Sequence, residues 1–231
     1  MHIEVITEDS SGKALLEHLL PKLIGGNGEP HTWQITDCRC VGHIPRGMKD
    51  GDPAKRTLLN KLPGMLRAHA KTASIDAVVV VLDADDRDCA TFLAELRAVA
   101  ASRGADAKTL FRLAIEETEA WYFGDPEALQ AAYPRAKKAV LKRYEQDAVC
   151  GTWEMLADAL HPGGLAAVRK PGGRRPGDLK HEWANRIGPL MNPDINRSPS
   201  FGKLRDGLRR LIAAAADTPA PAMQPGQTPA G

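Results

Sequence analysis

The stretch AVVVVLDADDRDC, residues 77–89, sets six apolar residues directly before four aspartates spread over six positions. A near-continuous run of β-branched residues reads as a strand buried on both faces, as in the middle of a parallel sheet. The aspartates then mark its carboxyl end. In open parallel sheets ligand sites form outside those ends, so this segment predicts both an α/β fold and the place where polar chemistry collects.

Outward from this strand, strand and helix patterns alternate. HIEVIT (2–7) is a short apolar run, followed by DSSGKALLEHLLPKL, where Asp9 or Ser10 would cap a helix whose Ala14, Leu15, Leu19, Leu20 and Leu23 recur at helical spacing. HTWQITDCRCVG (31–42) reads as a second strand, and AKRTLLNKLPGMLRAHA as a helix that Pro63 kinks or splits. CATFLAELRAVAASRG is an amphipathic helix, with Asp86 and Asp88 as caps and Gly104 as its stop, and TLFRLAI (109–115) is a fourth strand. The alternation predicts a Rossmann-like parallel sheet with helices on both faces over residues 1–125. Short helical patterns separated by proline and glycine make 126–216 a helical C-terminal part packed on that sheet. The proline-rich DTPAPAMQPGQTPAG (217–231) reads as a disordered tail.

Composition bounds the function less than the pattern does. The chain has 231 residues, 43% of them hydrophobic, enough for a sizeable core, and a net charge of only +2. Positive charge for a nucleic-acid partner would therefore be local. No basic start with an apolar core precedes the first strand, and no apolar run reaches bilayer length, so a cytoplasmic protein without a membrane partner is expected. Cys38, Cys40, Cys89 and Cys150 read as reduced thiols; Cys38-x-Cys40 with His43 hints at zinc but lacks a second ligand pair.

Acidic residues gather at the strand ends. Alternation along a strand points Asp83 and Asp85 to one side, where paired carboxylates repel unless a cation joins them. Such hard oxygen ligands suit Mg2+ or Mn2+, which also bind phosphates. Glu8, closing the first strand, stands near Asp83 if those strands are neighbours, as a third ligand or as a general base. In AIEETEAWYFGDP, Glu117 and Glu119 share a face if the fourth strand continues, Glu116 and Glu119 if a helix has begun. Trp121 and Tyr122 read as packing residues rather than base-stacking ones.

The opposite charge lies in VRKPGGRRPGDLKHEWANR, where Arg174, Arg175 and Lys180 are candidate phosphate contacts and a ligand-free charged loop is the alternative. In NRSPSF (196–201), Ser198 and Ser200 flank Pro199 before a helix, a pattern suited to N-capping or to phosphate contact.

A strand-end glutamate at Glu8, the later hhhDxD at Asp83 and Asp85, and the parallel layout resemble the TOPRIM fold of topoisomerases, bacterial primases, recombination mediators and overcoming-lysogenization-defect nucleases. EETEAWYFGDPEAL, GTWEMLADALHPGG, EWANRIGPLM and NRSPSFGKLRDGLRRL more narrowly resemble a bacterial family of TOPRIM-like proteins often encoded beside ATPases of the ABC or structural-maintenance-of-chromosomes type. The resemblance implies that Asp83 and Asp85 hold divalent metal, that Glu8 assists phosphoryl transfer, and that Glu117 and Glu119 join the metal site. It also implies a nucleic acid substrate, DNA or RNA, and a phage-defence role beside an ATPase partner. Asp9 stands where those folds usually carry glycine.

A metal-dependent nuclease is thus the leading expectation. A non-catalytic binding or regulatory partner of an ATPase is the alternative. Two further readings use the same motif: a haloacid-dehalogenase-type phosphatase with Asp83 as nucleophile, against which Arg87 replaces the usual threonine, and a nucleotide-sugar transferase.

Overall fold

Four strands, β1 (His2–Thr7), β2 (Thr32–Asp37), β3 (Ala77–Asp83) and β4 (Thr109–Ala114), pair in the order β2-β1-β3-β4, every pair parallel. The computed structural model describes residues 1–28, 30–38, 58–148 and 150–217. Between and after the strands run α1 (Ser10–Ile24), α2 (Leu58–Lys71), α3 (Cys89–Ser102), α4 (Ala120–Phe123), α5 (Pro126–Ala132), α6 (Lys138–Leu141), α7 (Thr152–Leu160), α8 (Gly164–Val168), α9 (Pro176–Ile187) and α10 (Pro199–Ala216). This is an α/β, Rossmann-like fold with a helical C-terminal part.

The valine run behaves as its composition dictates. Residues 77–82 are each at most 2% exposed because the strand is covered on both sides. Val79 and Val81, with Ile3 and Val5, pack against Leu15 and Leu19 of α1 and against Trp121, Trp183, Phe201 and Leu204. Val78, Val80 and Leu82, with Ile6, face Leu62 and Leu66 of α2 and Phe92 and Leu96 of α3. The C-terminal helices therefore share one core with β1 and β3, and the change of character near residue 126 is a change of layer.

Caps set the helix starts. Asp9, not Ser10, caps α1: Gly12 N donates to its Oδ1 at 2.7 Å, and Ser11 Oγ donates to the same carboxylate. Asp88 caps α3 through the Thr91 amide at 2.9 Å. Pro63 does not split α2, which runs unbroken through it, and α1 likewise continues past Pro21. Lys22 holds the end of α1 by donating to the carbonyls of Gly188 (3.1 Å), Pro189 (2.6 Å) and Met191 (2.8 Å) just after α9.

No described helix is long and apolar enough to cross a membrane. Cys40 and His43 of the zinc pattern, the end of the predicted second strand, and residues 218–231 of the predicted tail lie outside the described residues. Cys38 is buried, its sulfur 3.7 Å from that of Met65.

Candidate active site

The sheet order reverses direction between β1 and β3, since β1 is followed by β2 on one side and flanked by β3 on the other. Open parallel sheets form their crevice at such a point. Glu8 follows β1 and Asp83 closes β3, and the Asp83 amide donates to Glu8 Oε2 at 2.9 Å. The loop after β4 is drawn to the same place, because the Thr118 amide donates to Asp83 Oδ1 at 3.0 Å. That loop brings Glu117 and Glu119. From α9, Lys180 reaches into the group, its Nζ 2.8 Å from Glu117 Oε1 and 3.2 Å from Glu119 Oε2.

This ammonium does not satisfy the carboxylates around it. Glu119 is 1% exposed, and both its oxygens, together with Glu117 Oε2, lack a hydrogen-bond donor. The Lys180 contact to Glu119 is an ion pair without hydrogen-bond geometry. Burial disfavours the charged form of each acid and mutual repulsion adds to it. Burial raises Glu8 to about 7, the Asp83 amide partly offsetting it and the Asp85 charge adding to it. Glu117 also rises to about 7, from burial and then from Glu119, with Lys180 opposing. Asp83 is pushed well above the usual carboxylate range by burial, Glu8 and Glu119, and Glu119 is raised by burial against the pull of Lys180. Burial alone would lower Lys180, but Glu119, Glu117 and Asp83 outweigh it and hold the amine protonated.

Hard oxygen donors, buried, partly unpartnered and raised above the usual carboxylate range by burial, have the chemistry a divalent cation answers. On that test the residues fit such an ion. As the side chains stand, no group of three His, Cys, Asp or Glu among the described residues is arranged to hold a metal, and Lys180 supplies the positive charge.

The remaining sequence candidates are placed differently. Asp85 does not share a face with Asp83. Strand β3 ends at Asp83, and Asp85 takes a left-handed φ of 50°, pairs by its amide with Glu116 O at 2.9 Å, and turns its carboxylate to Arg87 at 3.4 Å. Strand alternation stops where the strand stops. Glu116, also left-handed at φ 58°, is spent on structure, accepting from the amides of Gly151 and Thr152 and from Thr152 Oγ1.

Ser198 and Ser200 are each 1% exposed and are not open to a ligand. Ser198 Oγ caps α10 through the Phe201 amide at 3.2 Å and donates to Asp147 at 2.9 Å, while Ser200 Oγ accepts from Trp121 Nε1 at 2.9 Å. Ser198 is thus the N-cap, and Ser200 a buried packing partner inside the helix. Trp121 and Tyr122 are buried packing residues, as expected. Arg175 is open to solvent and pairs with Asp178 at 3.0 Å. Arg174 pairs with Glu182, and Lys180 serves the acid cluster rather than a surface loop. That role of Lys180 had no local signal, since its partner is 63 positions away.

The chain belongs to the family described as domain of unknown function DUF4276, whose model matches residues 7–209. The matched region contains every acidic residue of the cluster as well as Lys180. No curated protein and no solved structure matches the chain.

Proposed function

We propose that the chain is a TOPRIM-type, metal-dependent nuclease that cleaves phosphodiester bonds of nucleic acid, as the effector of an ATPase-coupled defence system. The observation that carries this reading is the meeting of Glu8, Asp83, Glu117 and Glu119 at the sheet's switch point, with three buried carboxylate oxygens lacking donors. Asp83, Glu117 and Glu119 would hold Mg2+ or Mn2+. When bound, such an ion polarises a phosphoryl oxygen and acidifies a water. Glu8, held beside Asp83 by its amide, would take the proton of the attacking water as the new P–O bond forms and return it to the ester oxygen released as the old P–O bond breaks. Lys180 provides a donor for a phosphate oxygen, and the exposed Arg175 a contact to the backbone.

The second reading, a non-catalytic regulatory partner of an ATPase, is favoured by Lys180 itself, which already gives the acids a countercharge. The phosphatase reading requires Asp85 beside Asp83 as acid and base, and the Asp85–Arg87 pair at 3.4 Å weighs against it.

The test is cleavage of supercoiled plasmid and of single-stranded RNA with Mg2+ or Mn2+, wild type beside Asp83→Ala and Glu8→Gln. Metal-dependent cutting should fall by about a hundredfold or more in both variants. A folded protein that binds Mg2+ by calorimetry yet cuts neither substrate, and that captures a co-encoded ATPase, would replace the nuclease by the regulatory reading.

A further inference from the structure

On the other side of α9 from the acid cluster lies a half-open groove with a volume of about 550 Å³. Three segments form it: the turn after α5, the end of α7 with the residues after it, and α9 with the arginine-rich approach to it. Leu179, Glu182, Trp183 and Arg186 recur at helical spacing along α9, so the face presented here differs from the one that carries Lys180.

The lining divides into an apolar floor and a charged rim. Leu160, Leu179 and Trp183 supply the floor, and Trp183 is 1% exposed, so it is fixed by packing. The rim carries Arg135, Arg174 and Arg186 against the single carboxylate of Glu182. Glu182 is already engaged by three donors: it accepts from Tyr133 Oη at 3.0 Å, from Arg186 at 3.4 Å and from Arg174. Arg135 is exposed and has no hydrogen bond or ion pair among the described residues. The groove therefore holds an excess of guanidinium charge with one arm uncommitted.

Its wall is also built for a planar group. The Arg186 guanidinium lies over the Tyr133 ring at 4.0 Å and is anchored by donation to Ala132 O at 2.8 Å. Stacked guanidinium planes are surfaces on which nucleobases stack, and the fork of an arginine matches a phosphate bidentately. His161 adds a buried Nδ1 that has no hydrogen-bond partner. A volume in the range of small-molecule sites, a mostly apolar floor and a few convergent polar groups are the marks of a ligand pocket.

We infer that this groove binds a nucleoside 5′-phosphate, its base on the apolar floor beside the Arg186–Tyr133 stack and its phosphate on Arg135 and Arg174. The same chemistry is offered by a free nucleotide and by the 5′-terminal nucleotide of a strand. The site stands independently of the metal reading of the acid cluster, since none of its lining belongs to that cluster.

The experiment is isothermal titration of the full chain in EDTA with AMP, GMP, CMP and UMP, with inorganic phosphate, and with a 5′-phosphorylated single-stranded hexanucleotide. At least one mononucleotide or the hexanucleotide should bind at least about tenfold more tightly than inorganic phosphate. Arg135→Glu should weaken that binding by about tenfold or more, with no change in melting temperature because Arg135 is exposed and unpaired. Mononucleotide binding identifies a free nucleotide as the source, and hexanucleotide binding alone identifies a strand end. No binding by any of them to the folded chain, equal affinity for inorganic phosphate, or insensitivity to both Arg135→Glu and Arg174→Gln would overturn the inference. Removing metal from the titration makes its outcome separate from success or failure of the nuclease reading.

Discussion

The Asp83 amide donates to the Glu8 carboxylate across 2.9 Å, joining two residues 75 positions apart. This bond ties the end of the central strand to the loop after its neighbour, at the point where the sheet order reverses. It also brings two carboxylates into one poorly solvated space, where burial raises both, the Glu8 charge adds to the rise of Asp83, and the charges of Asp85 and Asp9 add to that of Glu8. The site is thus electrostatically strained unless a cation is present, and Lys180 is the cation the chain itself provides.

Removing that cation should be costly. Lys180→Met keeps most of the stem and removes the ammonium from Glu117 and Glu119, leaving buried carboxylates without a countercharge. The expected loss in EDTA at neutral pH is about 3 kcal/mol, a fall in melting temperature of roughly 6–12 °C. Saturating Mg2+ should recover part of it if the carboxylates then hold the ion. Calorimetric melting reads both effects, and an unchanged melting temperature would show that Lys180 does not balance the cluster.

The pH dependence follows from the same acids. Glu8 and Glu117 have folded-state pKa values near 7 against 4.5 as ordinary glutamates. Between these values the folded state binds more protons than the unfolded one, so stability falls as pH rises. Their contribution is fully present below about 4.5 and is lost as pH passes 7. Denaturant melts of the metal-free protein across that window should show this decline, and Glu8→Gln should flatten part of it, because glutamine still accepts from the Asp83 amide without carrying charge. Stability that climbs through the window would contradict the raised values.

A structural serine should behave otherwise. Ser198→Ala removes the cap of α10 and the donor to Asp147, for a loss of roughly 1–2 kcal/mol. Mg2+ affinity should be unchanged, since Ser198 makes no contact with the acid cluster. A large loss of Mg2+ binding at constant stability would return Ser198 to the list of ligand contacts.

The sequence by itself determined the sheet and the location of the site. A run from Ala77 to Leu82 with no polar interruption can satisfy its burial only between two layers, and strand–helix alternation makes its neighbours parallel. Glu8 and Asp83 were legible because one follows and the other closes such a strand, and Asp9 and Asp88 because capping is a contact within three residues. These are local regularities with fixed periods.

Only the tertiary structure decided which acids meet and what stands among them. Asp85 parted from the alternation with Asp83 because the strand stopped there and the backbone turned left-handed, which no alternation rule registers, yet its charge still acts on Glu8. Lys180 entered it, and Glu116, Ser198 and Ser200 were taken up as structural partners, through contacts spanning 35 to 79 positions. The groove beside α9 is likewise assembled from three separate segments. Such pairings come from α7, α9 and α10 packing against the sheet and one another, and side-chain partners made by packing leave no periodic trace in the chain that forms them.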